Sequence, residues 1–219
     1  MYRIVETVKS RRPYDSTRRR KQAQETRRAI LEAARRLFLK RGYASTTMAS
    51  VAEGAGVSVE AVYKAFSNKA GLVKAVFDVA IVGDDKAIPM LQRARVARMR
   101  TEPDARRKFE MYGEHLAEAG ARAGALQLLI RSAADGHPDA AKVWDQMVAE
   151  HLTGMTEFAR HLHDGEHLRP DLSVDDARDI LWTYSSVELY DLLVLRRGWD
   201  PERYGGWIAE ALIAALLPR

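Results

Sequence analysis

The side chains with the most varied chemistry in a short span lie in GVSVEAVYKAF, Gly56 to Phe66. Helical spacing places Val62 and Phe66, i and i+4, on one inward face. It leaves Val59, Glu60, Ala61, Tyr63 and Lys64 on the outer face, with the Ser58 hydroxyl at the start. A carboxylate, a phenol, an ammonium and small neighbours on one exposed face are suited to reading the hydrogen-bonding edges of a surface. Nothing there makes a nucleophile with its base. Three guanidinium groups precede them, in Ser16-Thr17-Arg18-Arg19-Arg20.

The rest of the chain offers less chemistry. It has no cysteine, so thiol nucleophiles, disulfides and thiolate metal sites are excluded. No G-x-S-x-G, H-E-x-x-H or phosphate-binding glycine loop occurs, so an enzyme is not expected and no cofactor is implied. His161, His163, Asp164, Glu166 and His167 cluster at a helix end and in a turn. Their spacing does not put ligands on one helical face, so a solvated loop is expected and no metal.

The 219 residues are 47% hydrophobic and 30% charged, which suits a soluble globular chain. The formal net charge of +5 is unevenly spread. Residues 1–70 hold 16 Lys and Arg against 6 Asp and Glu, whereas the remainder hold 19 against 24. A basic head on an acidic body points to an anionic partner for the head. The start, MYRIVETVKSRR, lacks the apolar core of a secretory signal, and no apolar run approaches the roughly 20 residues that span a bilayer. The expectation is a cytoplasmic protein with no membrane partner.

Several elements must position the outer face of Gly56 to Phe66. Residues 1–20 show no sustained period and are expected as a flexible basic arm, either inert or entering a minor groove. From about Gln22 to Arg41 the stripe Ile30, Ala33, Ala34, Leu37, Phe38 predicts an amphipathic helix, with Gly42 as its left-handed cap. Thr47 can cap a short helix burying Met48, Val51, Ala52 and Ala55. Ser58 caps the next, and Ser67 or Asn68 a fourth with Leu72, Val73, Val76, Phe77 and Ala80 inside. Two short helices across a glycine turn under a longer one make a helix-turn-helix, whose second helix holds its outer face toward a major groove. The break and the thin apolar coverage then have one reason, the reading of DNA.

The remainder is helical in pattern, with breaks expected at 83–85, 101–103, 120–124, 135–138, 164–171 and 197–201. No segment alternates with period two between turns, so a sheet is not expected. The fold class is all-α: a basic arm at 1–20, a DNA-binding helix-turn-helix domain at 21–68, a connecting helix at 69–83, and a larger helical effector-binding and dimerisation domain at 84–219.

The stretch Thr26 to Asp78 resembles the DNA-binding domain of TetR-family transcriptional regulators. The features come in order: A-x-x-L-F in the first helix, G-Y, T-T before the second, A-x-x-A-G-V-S, then V-Y-x-x-F and N-K. The C-terminal stretch from Glu188 to Pro218 is similar to the end of a frequent actinobacterial-type subset of that family. The resemblance implies that Thr47 caps the second helix beside a phosphate, and that Ser58, Val59, Glu60 and Ala61 face bases or backbone. It implies that Tyr63 grips a phosphate, Lys64 lies on the groove side, and Lys69 meets a phosphate at a helix N-terminus. Val59, Glu60 and the Lys64-Ala65 pair depart from the commonest residues there. Glu60 would either accept from a cytosine amino group or turn aside.

The resemblance also implies a small-molecule effector, of unknown identity, in the body. Aromatic and polar side chains in otherwise apolar helices are the candidates for its pocket: Tyr112, His115, Trp144, His151, Trp182, Tyr184 and Glu188. A single helix from about Val174 to Arg197 is apolar over a wide arc and, with one from Pro201 to Leu217, is the expected homodimer contact. The combined expectation is a dimeric repressor on a palindromic double-stranded operator, released by a ligand. An effector-independent DNA-binding or architectural protein, or an enzyme acting on a small molecule, are the rivals.

Overall fold

The computed structural model describes residues 14–218, and every regular element among them is helical. Helix α1 spans Tyr14–Arg41, α2 Met48–Ala55, α3 Val59–Phe66 and α4 Lys69–Val82. After a short 3₁₀ turn at Met90–Gln92 come α5 (Ala94–Thr101), α6 (Ala105–Ala134) and α7 (Pro138–Asp164). Helix α8 (Val174–Tyr184), a single turn α9 (Val187–Tyr190) and α10 (Pro201–Leu216) complete the chain.

Side-chain oxygens start the head helices. Thr47 Oγ1 accepts from Ser50 N at 3.0 Å while Ser50 Oγ accepts from Thr47 N at 3.1 Å, a reciprocal cap on α2. Ser58 Oγ accepts from Ala61 N at 3.2 Å, and Asn68 Oδ1 from Gly71 N at 2.7 Å. Asn68, not Ser67, is therefore the α4 cap. Gly56 ends α2 at φ +67°, a conformation that leaves room for the chain to turn directly into α3.

Helix α1 starts well before the residues at which its apolar stripe begins. Arg18, Arg19 and Arg20, expected in a flexible arm, lie on its exposed first turns, so the expected arm is corrected for residues 14–20. Arg, Lys, Gln and Ala form helix readily, and a segment polar on all sides carries no stripe to betray it. Residues 1–13 of that arm lie outside the described residues.

Two buried clusters organise the molecule. The first joins Ile30, Phe38, Val51, Val62, Leu72 and Val76 of the head to Leu126 and Ile130 of α6 and Val143 and Met147 of α7. The second gathers Phe109, Tyr112, Ala159, Leu162, Leu181, Tyr204, Ile208 and Leu212. Helices α6 and α7 run through both, so the two cores meet within those helices.

The expected break at 120–124 is absent, and α6 runs unbroken across it. The glycines there serve a contact. A Cβ on Gly120 would collide with the Tyr190 ring, and one on Gly124 would lie 3.1 Å from it. Farther back, a Cβ on Gly113 would collide with the carbonyl oxygen of Gly205, where α6 and α10 touch backbone to backbone. The expected helix from Val174 to Arg197 is also divided: α8 stops at Tyr184, and α9 opens into π-helical turns at Asp191–Arg196. There Arg197 N reaches back five residues to Leu192 O at 3.1 Å.

Candidate nucleic-acid interface and body cavity

Helix α3 sits on the head by Val62, fully buried, and Phe66, nearly so. Ser58, Glu60, Tyr63 and Lys64 are exposed, as is Val59; Ala61 is partly covered. Tyr63 is 50% exposed, high for a tyrosine with a core beside it. The Glu60 carboxyl is held below the usual carboxylate range by its own backbone N–H and by Ser58. It is thus an anion in the first turn of α3, where the helix dipole favours it. The structure gives Glu60 this local role, which the spacing alone did not suggest.

Thr47 is exposed at the opening of α2, and its oxygen is engaged by Ser50. Lys69 opens α4, but its ammonium is turned to the head. Nζ donates to Tyr43 O at 3.0 Å and lies 4.2 Å from the centre of the Tyr43 ring. Burial lowers its pKa. Lys69 therefore ties α4 to the loop that leads into Thr47. Arg27, which the sequence did not single out, stacks over Phe66 at 4.7 Å and bonds Asp85 at 2.9 Å, joining α1, α3 and the segment that follows α4. Its signal was slight, one arginine among many in α1. Arg18, Arg19 and Arg20 continue the basic surface along α1.

Of the seven side chains expected at an effector pocket, Tyr112, His115 and His151 come together: the Tyr112 and His115 ring centres lie 6.4 Å apart, and Tyr112 and His151 are linked through Met155 and Ser185. Tyr112 is buried, its hydroxyl 3.2 Å from Met155 Sδ, and burial pushes its pKa up to about 12. His151 Nε2 lies 2.8 Å from Ser185 Oγ, with its pKa lowered by burial. Glu188 pairs with Arg131, which also lies 6.0 Å from the Trp144 ring centre. Trp182 is exposed, and Tyr184 packs 6.2 Å from Trp207. His115 alone of the seven lines a described cavity, of about 230 Å³, walled by α4, α5, α6 and the segment joining them. Burial, with Arg95 and Arg122 nearby, depresses its pKa to about 4.

A second cavity, about 540 Å³, opens at the turn after α7 beside His163, Asp164 and Glu166. Among the described residues no group of three or more His, Asp or Glu is disposed to hold a metal ion. No helix among them is long and apolar enough to cross a membrane.

Known proteins place this architecture. The family profile described as "Bacterial regulatory proteins, tetR family" matches residues 30–76. Across 61 residues the chain is 56% identical to the HTH-type transcriptional regulator TtgR of Pseudomonas putida, covering 28% of this chain and 29% of that one. It is 45% identical over 51 residues to the uncharacterized HTH-type transcriptional regulator YvkB of Bacillus subtilis, 23% of this chain and 27% of that one. The match thus spans less than a third of the length of these curated relatives. Solved structures share the fold over far more of the chain. The fatty acid degradation regulator FadR of Bacillus halodurans superposes with a TM-score of 0.70 at 16% identity, covering 89% of this chain and 97% of that one. A SmeT–triclosan complex superposes at 0.68 and 21% identity, covering 88% and 92%. FadR of Bacillus subtilis with stearoyl-CoA does so at 0.67 and 17%, covering 85% and 97%. Residues 30–76 thus match the tetR-family profile of bacterial regulatory proteins, and the all-helical body behind them shares the fold of these solved structures.

Proposed function

We propose that the chain is a DNA-binding transcriptional repressor that acts in the cytoplasm as a homodimer and leaves its operator when a small molecule binds the body. The observation that carries this reading is α3: two anchors buried, and Ser58, Glu60, Tyr63 and Lys64 presented outward beside a basic α1. Tyr63 and Lys64 supply a hydroxyl and a cation for phosphate and base edges, and Thr47 caps α2 beside the backbone. Lys69 holds the loop before Thr47 and lends its charge to that phosphate from behind. Glu60 lies where a neighbouring base can donate to it.

Trp182, Leu192, Leu195 and Trp207 are large, apolar and exposed along the α8–α10 side. We assign that side to the twofold contact, which sets two copies of α3 against successive major grooves about 34–36 Å apart. Ligands in fold neighbours, stearoyl-CoA and triclosan, support a ligand-responsive body.

The test is selection of bound duplexes from a random library at near-physiological salt. The expected result is one enriched palindrome, to which Lys64→Ala binds about ten- to a hundredfold more weakly while remaining dimeric. Salt-sensitive binding without any enriched sequence would overturn the reading as an operator-specific regulator.

A further inference from the structure

The cavity beside His115 has an unusual balance of charge. Arg93, at the start of α5, pairs with Asp84 through both terminal nitrogens, at 3.1 and 3.3 Å. Arg95, two residues on, gives Nη2 to Glu118 Oε1 at 2.6 Å, and Arg122 gives Nη1 to Glu118 Oε2 at 3.4 Å. Three guanidinium groups thus share two carboxylates. Arg93 Nε and Arg95 Nη1 are buried without a hydrogen-bond partner. A buried donor left unpaired costs far more than a satisfied one returns, so such donors mark a place where an acceptor belongs. His115 adds a ring that can donate from one nitrogen. Val82, Met90 and Val96 supply apolar wall.

We infer that this cavity is a binding site for a small organic anion, a carboxylate on a compact apolar body, held by the guanidinium groups of Arg93, Arg95 and Arg122 that line it. The volume, about 230 Å³, is below the ~300–1,000 Å³ of cavities that take drug-sized ligands, which keeps the ligand small. The same arginine cluster reaches the head. Arg122 Nε donates to Ala80 O and Nη2 to Ile81 O, both at 3.0 Å, so its guanidinium closes the last turn of α4. An incoming carboxylate draws Arg95 from Glu118, and Glu118 is left to Arg122 alone. The pull on Arg122 then competes with its hold on α4. This coupling rests on the DNA-binding reading above; the anion site itself does not.

Benzoate is the probe and benzamide its neutral isostere, each added to the full chain without DNA at fixed ionic strength. Benzoate is expected to raise the melting temperature with concentration and benzamide to leave it unmoved. Arg95→Gln weakens benzoate binding about ten- to a hundredfold, the loss of one charged hydrogen bond. Glu118→Gln, which removes the competing carboxylate at the rim, tightens it. A poorly folded variant cannot mimic that gain. Equal responses to benzoate and benzamide, or variants that bind benzoate as the wild type does, would overturn the site. Where a selected duplex exists, benzoate and duplex must weaken each other by the same factor. A duplex affinity unmoved at saturating benzoate would overturn the coupling. Absence of any selected duplex would count against the DNA reading, with the charge selectivity of the free protein still deciding the site.

Discussion

In the head, order is set within three or four residues: Thr47 with Ser50, Ser58 with Ala61, Asn68 with Gly71. In the body, the decisive contacts join parts of the chain that are farther apart in sequence. The α6 backbone meets α10 at Gly113 and Gly205, Tyr190 fills the notch of Gly120 and Gly124, and Lys108 threads to the carbonyls of Met99 and Arg100 at 3.1 Å. The head buries aliphatic and aromatic side chains with one titratable group, Tyr43, whereas the body buries Lys108, Tyr112 and Tyr204 and half-buries His115 and His151. Burial lowers the Lys108 pKa and raises that of Tyr204. The face of α3 is built from local signals, whereas the body carries groups whose state depends on partners farther along the chain.

The sharpest way to probe that contrast is to add one methyl group to a body glycine. Gly113→Ala puts a carbon against the Gly205 carbonyl, where neither backbone can yield cheaply, and should cost about 2–4 kcal/mol in urea unfolding. Gly154→Ala, on the open side of α7 with no atom within 4 Å, should gain up to about 1 kcal/mol from helix propensity. Equal effects at the two positions would mean that the α6–α10 contact is not close.

Protonation separates the regions next. His115, faced by Arg95, Arg122, Glu118 and the Tyr112 ring, has a folded pKa near 4 against the ordinary 6.5. The unfolded chain therefore binds the extra proton between those values. The His115 contribution is intact above pH 6.5 and is lost as pH falls toward 4, by about 3 kcal/mol at most. His151 and His161 are lowered too and act with the same sign. The measurement is the difference in unfolding free energy between His115→Gln and wild type from about pH 7 to about pH 4.5, where the variant should lose less. Parallel curves would show that His115 is not held neutral.

The smallest expected effect belongs to the head. Ser58→Ala removes one cap and should cost about 1 kcal/mol, seen as faster amide exchange confined to α3. Exchange quickened equally through α6 and α10 would break the distinction between local and distant order.

This contrast also explains what could be read in advance. The stripe from Ile30 to Phe38, the caps Thr47 and Ser58, and the inward pair Val62 and Phe66 are periodic or local signals, and they stand in the structure where the spacing put them. The glycines at 120 and 124 read as a break because helix propensity is local, while Tyr190, which makes small residues necessary there, lies on another helix. The opening of α9 into π-helical turns at Asp191–Arg196 is not legible in sequence because an apolar arc carries no mark of such a turn. Arg93, Arg95 and Arg122 look like ordinary surface charges in sequence; only the fold brings them around one cavity.

The hold of Arg122 on the last turn of α4 has a mechanical consequence. Helix α4 has 14 residues and so is about 21 Å long, fixed at the Ala80–Ile81 end and carrying Asn68 and Lys69 beside α3 at the other. It is a lever with its fulcrum in the body. A tilt of about 5° at the fulcrum swings the far end by about 2 Å, and in the twofold dimer proposed above two such levers would change the separation of the heads by about 4 Å. That is roughly the rise of one base pair along the duplex axis, about 3.4 Å.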